Sequence, residues 1–336
     1  MLKKVYEKVK KIIIENHNFL LFLILFTIVL NIKVPYVVSA PGGIIPLSDK
    51  VTVNGKKIKN NFYTTYVKVY DGNVASFLVG KIMPKWDVEK ESSFTGNTKL
   101  SYKELNEYER LLLKQSNLVA TILAFNEAKV EYTTEDNKLY VLYKIDGYDN
   151  NLKIGDQIVT CDELNTPYFS FLQQCISNSS DKSIDLEVIR DGKKMNIAVP
   201  LYSLNGENVI GINVLQDFNI KSDLDVKIQV DKDESGSSGG FLTALSIYDA
   251  ITNKNLSKGL KVTGTGTIDE NGLVGPIGGV KYKLLGANKK HVDVFFIPKD
   301  NFDEAMKIKK KYKLKLKIVK VEKFSDAIDY LNKLKK

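Results

Sequence analysis

Two glycine-rich segments carry the residue types from which a nucleophile and its base can be built. The first, DESGSSGGFLTALSIYDAIT over 233–252, sets Ser237 and Ser238 among Gly236, Gly239 and Gly240, immediately before an amphipathic helical pattern. Small residues permit a tight turn and close approach of a substrate backbone. The N-terminus of the following helix offers free N–H groups and a positive dipole end, which suit a developing oxyanion. A flexible loop that caps a helix is the plainer reading of the same residues. The second segment, TGTGTIDENGLVGPIGGVKYK over 263–283, turns at Gly275, Pro276, Gly278 and Gly279 to reach Lys281. A lysine that opens a helix and faces a glycine-lined turn is placed to lose its proton by desolvation. A solvated lysine is the alternative. Histidine offers little competition as a base: His17 falls in an apolar N-terminal stretch, and His291, in KKHVD before a strand pattern, reads as a surface residue.

These segments need a scaffold, and 336 residues with 43% apolar content give room for two folded domains and appendages. The net charge of +9 is carried almost wholly by lysine, with arginine only at Arg110 and Arg190. Nucleic-acid readers lean on arginine, and no basic stripe interleaved with aromatics stands out, so no nucleic-acid partner is expected. A lysine excess suits attraction to an anionic membrane or simply a solvated exterior. Cys161 and Cys175 are too few and too far apart for a zinc knuckle. They either pair in an oxidising compartment or remain two buried thiols. No H-E-x-x-H or C-x-x-C occurs, so neither a metal nor another cofactor is expected.

The coarse pattern is α/β (α+β). Lysines crowd residues 1–15, read as a cytoplasmic basic segment, and the uncharged run from Asn16 followed by VPYVV predicts a transmembrane helix over 16–38. The lysine cluster ahead of the span orients the remainder outward, giving a single-pass membrane protein with its body extracellular. A cleaved signal peptide ending near Val38-Ser39-Ala40 is the alternative. Residues 39–128 form a membrane-proximal region, with a strand over 61–72 and a helix over 101–128 that opens on the capping box Ser101/Glu104. A β-rich unit follows at 129–203, including a hairpin about Asp191-Gly192. From 204 to 336 strands (226–230, 259–268, 292–297, 314–321) alternate with helices (238–253, 281–290, 302–312, 324–334).

Taken together, the two glycine-rich segments resemble the proteolytic domain of the Lon peptidase family. That family carries its nucleophile in G-x-S-x-G and its lysine in a TG…G…PIGG-x-K segment. Gly236, Ser238 and Gly240 fill the first pattern; Thr265, Gly266, Gly272, Pro276 to Gly279 and Lys281 fill the second, 43 residues beyond Ser238. Ser237 and Gly239 stand where Lon enzymes usually have proline and alanine. The resemblance implies a Ser–Lys dyad of Ser238 and Lys281, with Thr265 hydrogen-bonding near the lysine and Gly236, Ser237 and Gly239 shaping the nucleophile loop. Leu152, Gly155, Asp156 and Ile158 give the 129–203 unit a likeness to a PDZ domain, although YTTEDNK stands where the usual carboxylate-binding loop would be. An anchor, a PDZ-like unit and a Lon-type domain, with VPYVVSAPGG at 34–43, are similar to the PDZ-containing Lon-like surface peptidases of Gram-positive bacteria. What that implies is limited processing of extracellular peptides or proteins, signalling peptides among them. Domains of this type commonly form rings, so a homo-oligomer is implied as well. No G-x-x-x-x-G-K-[ST] motif occurs, which predicts cleavage without ATP. The competing expectation is a catalytically dead surface scaffold that binds partners through the PDZ-like unit.

Overall fold

The computed structural model describes residues 2–96, 98 and 100–334. Met1 and residues 335–336, the outermost ends of the expected basic segment and C-terminal domain, lie outside the described residues. The chain divides into two units, residues 1–42 with 67–99, and residues 43–66 with 100–336.

The first unit opens with helices α1 (Leu2–Glu15) and α2 (His17–Leu30) and continues into strand β1 (Lys33–Pro46). No single described helix is long and apolar enough to cross a membrane. One pair, Val5–Glu15 with His17–Leu30, meets the length and composition of a span together but is bent by 77°. The expected helix over 16–38 therefore stops at Leu30, and residues 33–38 are strand instead. Pro35 biases its predecessor away from helix, and Val34, Val37 and Val38 are β-branched, so the apolar run changes conformation where its composition does. Strand β2 (Phe62–Asn73), helix α3 (Val74–Ile82) and strand β3 (Asp87–Lys90) complete the labelled elements of this unit, with β1 and β2 each crossing the boundary between the units. β3 pairs antiparallel with β1 from Tyr36↔Lys90 to Ser39↔Asp87.

The second unit begins with a long helix, α4 (Tyr102–Ala128), held at its head by the expected box: Ser101 accepts from the Glu104 N–H, and Glu104 accepts from the Ser101 N–H. Five antiparallel strands follow in the spatial order β7-β6-β5-β4-β8: β4 (Thr133–Lys144), β5 (Gln157–Cys161), β6 (Ser183–Arg190), β7 (Lys193–Pro200) and β8 (Ile212–Lys221). Helix α5 (Phe169–Asn178) lies between β5 and β6 in the chain, and Leu139, Ile158, Leu172, Leu186 and Val199 are buried in one core. Asp191 and Gly192 both take positive φ (50° and 74°), as a two-residue hairpin turn requires. The Gly155-Asp156 pair has a structural reason: buried Asp156 accepts two hydrogen bonds from Arg190, at 2.7 and 2.6 Å, and one from the Lys153 N–H at 2.7 Å. Because β8 pairs with β4, this sheet runs past the expected boundary at 203. Cys161 and Cys175 are joined in a disulfide that ties β5 to α5.

The remainder alternates as expected: α6 (Gly240–Thr252), β9 (Val262–Gly264), α7 (Val280–Lys289), β10 (Val294–Pro298), α8 (Phe302–Tyr312), β11 (Lys317–Val321) and α9 (Phe324–Lys333). β9 is parallel to β10 on one side and to Phe62–Thr64 of β2 on the other, while β11 is parallel to β10. Phe241, Leu242 and Leu245 of α6 are fully buried in a core with Phe296 and Phe324. That packing fixes the head of α6, which directly follows the glycines and serines of the first segment.

Candidate active site

Ser238 sits in a single 3-10 turn, Ser237–Gly239, at the head of α6. Two local features explain why the chain can make this turn. Gly236 has φ +92°, a conformation that L side chains rarely adopt, and its N–H donates to the Glu109 carbonyl at 2.9 Å. At Gly240 a Cβ would lie 2.2 Å from Ser116 Oγ, so only glycine lets α6 approach α4 this closely. α4 holds the turn a second time through Ser116 Oγ, which donates to the Ser237 carbonyl at 2.9 Å. A third contact runs from Arg110 to the Lys232 carbonyl. Gly239 supplies the carbonyl that accepts from Thr243 Oγ1 at 3.1 Å and packs near Thr64.

β9 runs out of the sheet into Thr265 beside this turn. The Gly266 N–H and Thr265 Oγ1 both donate to the Ser238 carbonyl, at 2.8 and 3.1 Å. The lysine that reaches Ser238 is Lys283: its Nζ is 2.8 Å from Ser238 Oγ and 3.0 Å from Thr265 Oγ1. The lysine expected beside Ser238 is Lys281; the one that lies there is Lys283, two residues on. α7 starts at Val280, and residues two apart on a helix are separated by about 200°, so the two lysines project to opposite sides. Val280, Lys283, Leu284 and Ala287 form one buried stripe, whereas Lys281 is half-buried with its Nζ 5.2 Å from the centre of the Tyr282 ring. The stripe was the signal available in the sequence, since its i, i+3, i+4, i+7 spacing puts the second lysine of VKYK inside.

Burial decides the chemistry of this lysine. With only 4% of Lys283 exposed, desolvation lowers its pKa from 10.5 to about 8, against the opposing pull of the Glu109 carboxylate. Burial in turn pushes the Glu109 carboxyl above its usual range, partly offset by the Lys283 charge. The hydrogen bonds also orient the amine. Thr265 Oγ1 spends its one proton on the Ser238 carbonyl, so it must accept from Lys283 Nζ. A neutral amine held there by one N–H has its lone pair free for the Ser238 hydroxyl.

A cleft of about 420 Å³ opens beside Ser237, with Leu112, Ser116, Val119, Thr267 and Ile268 in its lining and Asp269 and Glu270 among its acidic residues. Cys161, Asp162 and Cys175 lie close enough to share a metal, but disulfide-bonded sulfurs offer no thiolate as ligand. Sequence reasoning missed Glu109 and Ser116. Nothing in α4 marks them except that Ser116 is a polar residue at a buried helical position.

Residues 210–333 match the Lon protease (S16) C-terminal proteolytic domain. Similar curated proteins include the Lon protease of Aster yellows witches'-broom phytoplasma (strain AYWB), 38% identical over 94 residues that make up 28% of this chain and 12% of that protein. The Lon protease of Clostridium beijerinckii is 34% identical over 95 residues, 28% of this chain and 12% of the relative. The Lon protease of Campylobacter concisus is 28% identical over 147 residues, 43% of this chain and 18% of the relative. The C-terminal region is therefore a distant homologue of the Lon proteolytic domain, in a chain whose match to the first of these relatives spans 12% of that protein's length. Among solved structures, the PDZ domain of an SdrC-like protein from Listeria monocytogenes is 17% identical and covers 25% of this chain and 93% of that one. Its TM-score of 0.22 is too low to assign a fold to any part of this chain.

Proposed function

We propose that this chain is a membrane-anchored serine endopeptidase in which Ser238 is the nucleophile and Lys283 the general base. The observation that carries the reading is the 2.8 Å contact between Ser238 Oγ and a buried lysine whose pKa falls to about 8. A serine hydroxyl is a poor nucleophile unless a base within hydrogen-bond reach takes its proton. The neutral Lys283 amine accepts that proton as Ser238 Oγ adds to the substrate carbonyl. The oxyanion that forms lies toward the head of α6, whose positive dipole end stabilises it; the Gly240 and Phe241 N–H groups there are already given to the Ser237 and Gly266 carbonyls. Collapse breaks the C–N bond, and the Lys283 ammonium returns its proton to the leaving amine. Water then attacks the acyl–Ser238 ester, with Lys283 again the base. Thr265 keeps the amine aimed throughout.

The same reading assigns the 133–221 sheet to substrate handling and the lysine-flanked α1–α2 segment to anchorage, with the catalytic unit outside the cytoplasm. The Cys161–Cys175 disulfide supports that side of the membrane, since such bonds persist in oxidising compartments. Cleavage proceeds without nucleotide in this account, and substrates are extended or small peptides that enter the cleft unaided. A fluorophosphonate probe tests the proposal: the folded chain should be labelled at Ser238 with neither ATP nor magnesium added. A chain that binds peptides yet resists the probe at every pH would be the non-catalytic scaffold instead.

A further inference from the structure

The first unit carries an apolar surface that the proposed chemistry does not use. Along α3 and just beyond it, Leu78, Val79, Ile82 and Met83 are all exposed, Ile82 by 80%. The opposite side of α3 is tied down at Gly80, where a Cβ would lie 2.6 Å from Val88 Cγ2 and 2.8 Å from Val38 Cγ1. The exposed face is thus a defined side of an anchored helix.

Its place relative to α2 says what covers it. The Val74 N–H, first in α3, donates to the carbonyl of Ile32 at 3.1 Å, only two residues past the end of α2. Lys33 Nζ and Asp71 Oδ2 pair at 2.7 Å at the same level. The chain therefore returns along β2 to the height at which α2 ends, and α3 begins there. Aromatic pairs gather around it: Tyr36 meets Phe77 edge-on at 4.9 Å, and Tyr70 stacks on Trp86 at 5.4 Å. Lys81 and Lys85 flank the apolar face. Apolar side chains in the plane, aromatic rings beside them and lysines at the rim are the composition of a helix that lies in a membrane interface.

We propose that α3 is a second membrane-contacting element, lying in the headgroup–acyl boundary of the bilayer that α2 enters and presenting Leu78, Val79, Ile82 and Met83 to lipid. The inference rests on the anchored reading of α2. A soluble partner would leave the neighbouring lysines and the exposed apolar surface of α2 from Phe19 to Val29 without a role, whereas an anionic bilayer accommodates both. Two contacts with the membrane, one at α2 and one at α3, would fix the orientation of this unit on the surface.

Trp86 is the only tryptophan in the chain, so its fluorescence reports on this site alone. The full-length protein is reconstituted into vesicles of equal phosphatidylcholine and phosphatidylglycerol, recovered by flotation, and compared with vesicles brominated near the headgroup end or near the tail end of the acyl chains. Strong quenching of Trp86 by the shallow bromines and weak quenching by the deep ones is expected. Leu78→Asp with Ile82→Asp should float as before and lose most of that quenching; both positions are exposed, and circular dichroism confirms that the variant is folded. Wild-type protein that floats with Trp86 unquenched, or a variant quenched as strongly as wild type, overturns the inference while leaving the α2 anchor standing. Failure to float defeats both. Self-association in detergent that the same variant abolishes, with Trp86 unquenched in vesicles, would assign the face to a second copy of the chain and refute lipid as its partner.

Discussion

Replacing Lys283 by methionine should make the protein more stable while it abolishes activity. Below its folded pKa the buried amine is protonated at a cost to the fold. A lysine whose pKa falls from 10.5 to about 8 costs roughly 3 kcal/mol at neutral pH, at about 1.4 kcal/mol per tenfold change. Methionine of similar length removes that cost and gives up the bonds to Ser238 Oγ and Thr265 Oγ1, about 1 kcal/mol net. Thr265 Oγ1 keeps a partner in the Ser238 carbonyl, and half-buried Ser238 can turn to water. A net gain of roughly 2 kcal/mol near pH 7 follows. The pH dependence separates this cause from better packing. Between about 8 and 10.5 the unfolded lysine holds its proton and the folded one does not, so wild-type stability rises with pH across that window. The advantage of Lys283→Met should be constant below about pH 8, shrink through the window and reverse above it, where only the loss of the two bonds, about 1 kcal/mol, remains. Urea unfolding midpoints of both proteins across this range are the assay. A Lys283→Met destabilised near pH 7, or an advantage that ignores pH, would refute the claim that Lys283 is buried at a charge penalty.

Three further outcomes follow from the same geometry. Peptide cleavage (kcat/KM) should rise about tenfold per pH unit and level off near pH 8, as the neutral amine accumulates; a profile flat from acid to neutral pH speaks against a lysine base. Glu109→Gln removes the carboxylate that raises the Lys283 pKa, so the acidic limb should move to lower pH, and an unmoved limb would show that Glu109 is too well screened to matter. Cys161→Ser with Cys175→Ser opens a loop of sequence separation 14 and should cost the 133–221 sheet roughly 3 kcal/mol, seen in its melting, with short-peptide cleavage kept.

The alternation of helices and strands from residue 240 onward is legible from the sequence because each element carries its own period, even though α6, α7 and α8 have no side-chain cap. The same holds for α4, whose Ser101/Glu104 box marks its first turn. The turn around Ser238 is legible too, since few reasons other than backbone geometry gather a run of glycines and serines ahead of an apolar helix. Proximity to the glycine turn favours Lys281, whereas helical phase favours Lys283, and it is Lys283 that reaches Ser238. Position 283, one further side of α7, carries the burial that lowers a pKa. The disulfide is not legible in the sequence, because spacing alone does not say whether β5 and α5 face each other. Strand β8 has no counterpart among the expected strands, because its pairing with β4 is made across a long stretch of chain that no local pattern announces. Helix α2 ends early for a reason that hydropathy averages over: valine and proline are apolar, but they favour extended backbone.

The most direct test compares four variants on one peptide substrate over a range of pH, each first shown to be folded. Ser238→Ala and Lys283→Arg should each lose about a thousandfold or more in kcat/KM, because arginine keeps the charge but does not release its proton in this range. Lys281→Arg and Ser237→Ala should stay near wild type, since Lys283 is the lysine at 2.8 Å from Ser238 Oγ. Near-native turnover by Lys283→Arg, or loss of activity in Lys281→Arg with Lys283→Arg intact, would contradict the account.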